Sequence, residues 1–456
     1  MSPDDTIAAV STPAGEAGIG IVRLSGKDAV DIAERIFSPA GGKSLREAKS
    51  HRILYGFIKA PETGEAVDEA LVTVMRAPRT YTREDVVEIN CHGGYIPLSR
   101  VLELTLKHGA RLAGPGEFTK RAFLNGRLDL SQAEAVIDLI RAKTDTAERV
   151  ALEQLRGSLG KRINALREGL LEISSQIEAG IDFPEEEIEP SGIGEIEAGL
   201  KRIVSELSAM SKTYEEGRFL REGVRAAIVG KPNVGKSSLL NRLLQRDRAI
   251  VTEMPGTTRD VIEEYLNING LPVRVMDTAG IREAHDMAES EGVRRSLQAI
   301  ADADIVIALI DGSAPLSGED MEVIEKIKGK KSITAINKCD LPQAELKLPA
   351  GLNPLRLSAK TEEGIEGLKS AIFNSCVKGA AAAAESVIVT NIRHKTAIEG
   401  ASERLNAALS AISEDRPLEI ISLELRDGMN LMAEITGAIT TEDILQRIFS
   451  AFCVGK

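Results

Sequence analysis

Gly230-Lys-Pro-Asn-Val-Gly-Lys-Ser-Ser238 restricts the possible folds more than any other stretch, because it fits G-x-x-x-x-G-K-[ST] and comes directly after the apolar run Ala226-Ala-Ile-Val229. A strand feeding such a loop and a helix leaving it predict an α/β domain whose backbone N–H groups hold a di- or triphosphate. Asn233, Val234, Gly235, Lys236, Ser237 and Ser238 form that cradle. Lys236 is expected on the β- and γ-phosphates, and the Ser237 hydroxyl on a Mg²⁺ that bridges the same oxygens. Four fixed positions match by chance in roughly one or two of every hundred chains of this length, so the motifs downstream of the loop, and their order, decide the reading.

Val273-Arg-Val-Met-Asp277 reads as a strand carrying Asp277, Thr278, Ala279 and Gly280, the place for a carboxylate acting on Mg²⁺ and a glycine N–H toward the γ-phosphate. A second buried strand, Ala303 to Ile310, precedes Ile333-Thr-Ala-Ile336 and then Asn337-Lys338-Cys-Asp340. The Asp340 carboxylate can accept from both the ring N–H and the amino group of guanine, whereas adenine turns a lone pair toward it. Ser358-Ala359-Lys360 caps the same base, so the expected ligand is GTP.

The 456 residues carry a formal charge of −12, and 3% are aromatic. The length gives a prior of about three domains. The charge is opposite to a nucleic-acid footprint, so an RNA partner requires a local patch or a second protein to supply positive charge. Neither a signal peptide nor a spanning apolar run is read, and Cys91, Cys339, Cys376 and Cys453 lack C-x-x-C spacing. These features predict a reduced cytoplasmic setting without zinc, disulfides or a membrane.

Residues 1–120 alternate apolar runs with turns (Thr6–Val10, Gly20–Leu24, Ala70–Met75, Asp85–Ile89), with helical patterns at 27–37 and 97–108, and predict an α+β domain. Helical periodicity without proline runs from Ser131 to Ile181 and resumes over 191–217, 387–412 and 417–451. The expected division is 1–120, a helical part 121–218, a G domain 219–377 and a second helical part 378–456. The fold class is therefore multidomain α/β: an α+β N-terminal domain, a discontinuous helical domain, and a Ras-like P-loop G domain inserted within it.

Two features depart from small GTPases. Ile281 stands where many keep a water-orienting glutamine; Glu283 and Glu289, with Arg282 and Arg259 as charge donors, are the replacements, and residue type alone ranks none above a surface residue. Asn233 offers a side-chain carbonyl to a monovalent cation beside the phosphates, and asparagine at a turn explains the residue type equally well. In Gly256-Thr-Thr-Arg-Asp260, Thr258 is the preferred Mg²⁺ ligand and Thr257 offers its backbone to a cation.

These motifs, with Pro115-Gly-Glu-Phe-Thr-Lys-Arg-Ala-Phe-Leu-Asn125, Ile181-Asp-Phe-Pro-Glu-Glu-Glu-Ile188 and the tail Ile448-Phe-Ser-Ala-Phe-Cys-Val-Gly-Lys456, resemble the tRNA-modification GTPases called MnmE or TrmE along the whole chain. The resemblance implies a homodimer through an N-terminal domain like folate-binding domains, holding a tetrahydrofolate derivative (5,10-methylene or 5-formyl) as one-carbon donor. It implies a heterotetramer with the FAD-containing flavoprotein MnmG, and aminomethyl or carboxymethylaminomethyl addition to C5 of wobble uridine 34 in certain tRNAs. Family roles put K⁺ on Asn233, Thr252, Met254 and Thr257, Mg²⁺ on Ser237 and Thr258, and folate on Arg23, Glu84, Arg127 and Lys456. The catalytic set is then Glu289, Arg282 and Thr258. Arg127 is lysine in some relatives, and Gly437-Ala438 stands where Gly-Glu is the pattern. Cys453 has two readings, packing between Phe452 and Val454 or a reactive thiol near the folate. A ribosome-assembly or RNA-binding GTPase is the alternative class, but the G-x-x-G loop of a KH domain is missing from 380–456.

Overall fold

The computed structural model describes residues 5–13, 15–183, 190–247, 265–276, 298–349, 351–377, 379 and 387–456. It divides into two compact units, one of Met1–Ile137 with Thr436–Lys456, the other containing Asp138–Val251 and Val261–Ile435.

In the first unit, β1 (Ile7–Val10), β2 (Ala17–Ser25), α1 (Ala29–Ile36), β3 (Phe37–Pro39), β4 (Arg52–Lys59), β5 (Ala66–Met75), β6 (Val86–Gly93), α2 (Tyr95–Lys107) and β7 (Arg111–Leu112) build an α+β layer. Its seven described strands run β3-β4-β5-β6-β2-β1-β7. Every pairing is antiparallel except β1 with β7. Val22, Leu24, Val72, Val74, Val87 and Ile89 face one side of the sheet and pack with Val30, Ile32 and Ala33 of α1 and Leu98 and Val101 of α2. Short apolar runs mark β1, β2, β5 and β6 in the sequence; β4 shows no period-2 alternation, because its exposed face also carries apolar residues, Ile53, Tyr55 and Phe57. α3 (Glu117–Leu124) follows, and the start of α4 (Leu130–Arg141) packs against α14 (Glu442–Ser450) through Leu130, Ala133, Ile137, Leu445 and Phe449.

In the second unit, α5 (Asp145–Leu155), α6 (Ser158–Asp182), α7 (Pro190–Lys212) and α8 (Tyr214–Glu222) lead to β8 (Val224–Val229) and α9 (Lys236–Asp247). β9 (Tyr265–Ile268), β10 (Leu271–Val275), β11 (Ile305–Asp311), α10 (Gly318–Lys326), β12 (Ser332–Asn337), β13 (Leu355–Arg356) and α11 (Ile365–Cys376) complete the sheet layer. The described strands run β13-β12-β11-β8-β10-β9, parallel except for β9. A parallel sheet buried on both faces explains the continuous apolar strand Ile305-Val-Ile-Ala-Leu-Ile310. α12 (Ile392–Ser413) and α13 (Leu418–Thr436) come after the sheet in the chain, yet Ile398, Leu405 and Leu425 share one core with Leu159, Leu170, Leu200 and Leu207 from before it.

The single helical run expected over 131–181 is cut into α4, α5 and α6. Thr144 caps α5 by accepting from Ala147 N, and Gly157 precedes α6 with φ +82°. Gly437, φ +79°, separates α13 from α14, and a Cβ there would lie 2.7 Å from the Phe123 ring. Proline-free periodicity cannot reveal such breaks, because a cap and a left-handed glycine leave the apolar spacing intact.

Candidate functional site

Two clusters gather the chemistry-bearing residues, one in each unit. In the second unit, β8 ends at Val229, and the loop from Gly230 enters α9 at Lys236. Gly230 has φ +154°, and a Cβ on it would come within 2.4 Å of Leu309 O; Gly235, φ +99°, would place one 2.3 Å from Asn337 Nδ2. Both positions demand glycine through close approach as well as conformation. Asn233 takes φ +62°, a left-handed conformation that asparagine tolerates, so the turn accounts for its residue type by itself.

Lys236 Nζ donates to Gly230 O at 2.7 Å and Lys231 O at 2.9 Å. Burial lowers its pKa. An ammonium held by neutral carbonyls at the start of a helix fits a polyphosphate, whose charge would supply what those carbonyls do not. Ser237 and Ser238 are exposed in the first turn of α9. Lys231, which the motif leaves unspecified, donates to Asp320 Oδ2 at 2.6 Å and Ser317 Oγ at 3.3 Å. Burial raises the Asp320 pKa, and the Lys231 and Ser317 bonds more than offset it, leaving the carboxyl below its ordinary value. The phosphate loop is thereby tied to the capping box of α10.

The base-side residues converge at the ends of β12 and β13. Asn337 Nδ2 donates to Val234 O at 2.7 Å and its Oδ1 accepts from Ala359 N at 3.0 Å, joining the phosphate loop to the 358–360 loop. Ser358 Oγ donates to Asp340 Oδ1 at 2.7 Å and accepts from Lys360 N and Thr361 N. Asp340 is exposed, with its carboxylate oriented by that hydroxyl. Lys338, φ +66°, bonds Asp311 Oδ2 at 2.6 Å. Arg242 of α9 reaches Ala359 O and Lys360 O, each at 3.4 Å, and Glu362 Oε1 at 2.7 Å. Sequence reasoning misses Asp311, Arg242, Lys231 and Asp320: each is an ordinary charged residue whose partner lies far away in the chain. Thr252, Met254, Thr257, Thr258, Asp277, Thr278, Ala279, Gly280, Arg282 and Glu289 lie outside the described residues, as do Arg259 and Glu283.

In the first unit, α3 is the common support. The Arg23 guanidinium lies 5.7 Å from the Phe118 ring centroid, bonds Glu88 Oε1 at 2.8 Å and reaches Gly455 O at 3.4 Å. Phe118 N donates to Lys456 O at 3.2 Å and Gly116 N to Cys453 O at 3.3 Å, so the chain's last residues lie along the start of α3. The Tyr81 hydroxyl shares a hydrogen bond with Thr119 Oγ1 at 2.9 Å, and the Arg127 guanidinium lies 4.7 Å from the Tyr81 ring centroid. Burial raises the Tyr81 pKa. Glu84 accepts from Ser25 Oγ at 2.6 Å and from Arg121 Nη1 at 3.2 Å, and Arg121 also bonds Asp5 and Glu117. Arg23, Glu84, Arg127 and Lys456 thus all attach to, or sit one residue from, α3 partners. The Cys453 side chain is exposed. Among the described residues, no cluster of His, Cys, Asp and Glu is arranged to hold a metal ion.

The family described as the MnmE helical domain matches residues 130–453, and that described as the GTP-binding protein TrmE N-terminus matches residues 6–127. The chain is 48% identical to the tRNA modification GTPase MnmE of Thermoanaerobacter pseudethanolicus, covering 99% of each chain. It is 49% identical to that of Geobacter sulfurreducens and 47% to that of Acetivibrio thermocellus, with 100% of each chain covered in both cases. No described helix is long and apolar enough to cross a membrane. With both family matches and these full-length identities, the chain belongs to the MnmE family of tRNA-modification GTPases.

Proposed function

We propose that this chain is a K⁺-dependent GTP hydrolase that, with an MnmG-type flavoprotein, drives C5 modification of wobble uridine 34 in certain tRNAs using a tetrahydrofolate one-carbon donor. The observation carrying the GTPase reading is the pairing of a half-buried Lys236 ammonium on neutral carbonyls with the Asn337–Asp340–Ser358 framework one loop away. Lys236 binds the β- and γ-phosphates by exchanging those carbonyls for phosphate oxygens, and Ser358 holds the Asp340 carboxylate ready for the two guanine donors. Mg²⁺ on Ser237 and Thr258 and K⁺ on Asn233, Thr252, Met254 and Thr257 would supply positive charge where it builds between the phosphates. Asp277 and Gly280 belong to the expected switch segment, and Glu289, aided by Arg282, orients the attacking water in this reading. The folate site would lie against α3, with Arg23, Glu84, Arg127 and Lys456 as its polar contacts and Cys453 nearby.

The proposed arrangement is a homodimer through residues 1–120, a helical domain of 121–218 and 378–456, and an inserted G domain of 219–377, acting in the cytoplasm. Hydrolysis serves as a switch, since the product chemistry needs no phosphoryl group. Mass spectrometry of tRNA nucleosides from cells lacking this chain tests the reading. Loss of the C5 group at wobble uridines, restored by the wild-type chain, is expected; fully modified wobble uridines in the deletion would overturn it.

A further inference from the structure

β9 and β10 form a hairpin between the two segments expected to sense the γ-phosphate: Gly256–Asp260 precedes β9 in the chain, and Asp277 comes just after β10 ends. β10 is bound into the sheet beside β8, whose own end becomes the phosphate loop, and Met276 N continues that pairing by donating to Ala226 O at 2.8 Å. The hairpin is therefore attached to the nucleotide site by its strands. Its turn, Asn269-Gly270 with φ +53° and +88°, lies at the opposite end of those strands and meets the start of α5.

That meeting is close. Thr144 Oγ1 donates to Gly270 O at 2.7 Å and accepts from Ala147 N at 3.2 Å, so one buried hydroxyl both caps α5 and holds the turn. A Cβ on Gly270 would lie 2.3 Å from Thr146 Oγ1. At the first residue of β9, the Tyr265 ring centroid lies 5.9 Å from Lys143 Nζ. Val150, further along α5, packs on the core of the six-stranded sheet. Near the far end of α5, Gln154 Nε2 donates to Ile388 O at 3.1 Å and Thr390 Oγ1 at 2.9 Å, at the lead-in to α12. Gln154 and Thr390 are both buried.

We infer that the β9–β10 hairpin is the element through which nucleotide state acts on the helices, with Thr144 as the coupling residue and α5 as the rod between Gly270 and Thr390. Thr144 is a positioning residue: it sits at the hairpin turn, at the opposite end of the strands from the phosphate loop, and it acts by transmitting hairpin movement to α5. A mere cap would be satisfied by the Ala147 N bond. The bond to Gly270 O joins two elements that are separately anchored, one to the nucleotide site and one to α12. The inference rests on the GTPase reading.

Hydrogen-exchange mass spectrometry on the full chain tests it, comparing GDP with a non-hydrolysable GTP analogue in K⁺ and Mg²⁺ buffer. The wild type is expected to show nucleotide-dependent exchange over 145–155. In Thr144→Val, which removes the bond to Gly270 O together with the cap on Ala147 N, that difference falls about fivefold, while GTP affinity and hydrolysis stay at wild-type values. Thr144→Ser, which keeps the hydroxyl, restores it. Wild type that binds GTP yet shows no exchange difference in α5 would overturn the inference, and so would a Thr144→Val chain that keeps the full difference. Wild type that fails to bind GTP would instead overturn the reading beneath it.

Discussion

Lys236 and Arg121 are cations withdrawn from solvent in different units, and their partners are opposite in kind. Lys236 bonds two neutral carbonyls, and burial pulls its pKa down. Arg121 bonds Asp5, Glu84 and Glu117; burial opposes its charge, and the carboxylates outweigh burial and raise its pKa. A half-buried charge with no counter-charge among the described residues is held in reserve for a ligand, whereas one surrounded by carboxylates is committed to the fold. The contrast separates residues whose loss should cost binding from those whose loss should cost stability.

Lys236→Ala breaks the comparison most sharply. GTP hydrolysis should fall about a thousandfold, with thermal stability unchanged or slightly raised, because Lys236 makes no ion pair among the described residues; steady-state turnover beside a melting curve measures both. A variant that unfolds at the same loss of rate would place Lys236 with Arg121.

Arg121→Met should do the reverse, destabilising its unit by about 3 kcal/mol, since three carboxylates lose a shared buried partner. Denaturant titration reads the loss, and GTP hydrolysis should stay near wild type. The sign with pH comes from two depressed carboxyls. Burial raises Asp5 and Glu117, and bonds to Arg111, with Arg121 and Gly114 N adding, bring both below their ordinary values. Such groups contribute stability above their unfolded pKa, about 4, and lose it as pH falls through the folded values. The wild-type unit should therefore weaken on acidification below about pH 4, and Arg121→Met should flatten that slope.

Ser358→Ala sharpens the comparison at the small end. It removes the hydroxyl that orients Asp340 and accepts from two backbone N–H groups, and should weaken GDP binding about fivefold, measured by fluorescent nucleotide displacement.

The same contrast explains what the sequence reveals. The phosphate loop, Asn337–Asp340 and Ser358–Lys360 are contiguous strings whose spacing is set by one turn each, so residue types alone expose them. The partly buried cluster around α3 joins Asp5, Ser25, Glu84, Arg111, Glu117 and Arg121 from separate stretches of the chain, and no local pattern links them. The Pro115–Asn125 motif stands out as a string without indicating what it holds. The structure gives its residues partners: Phe118 with Arg23 and Lys456, Thr119 with Tyr81, Arg121 with Glu84, and Asn125 Nδ2 with Thr82 O at 2.7 Å. Strand β4 is hidden for a different reason, its outward apolar residues leaving it without period-2 alternation.

Guanine selectivity by an exposed, hydroxyl-oriented carboxylate is the claim on which the nucleotide reading turns, and calorimetric titration of GDP and xanthosine diphosphate into wild type and Asp340→Asn tests it directly. Wild type should prefer GDP, and the asparagine variant should lose GDP affinity and favour xanthosine diphosphate, because its amide presents a donor where the base now carries a carbonyl. Equal GDP affinity in the two proteins would contradict it.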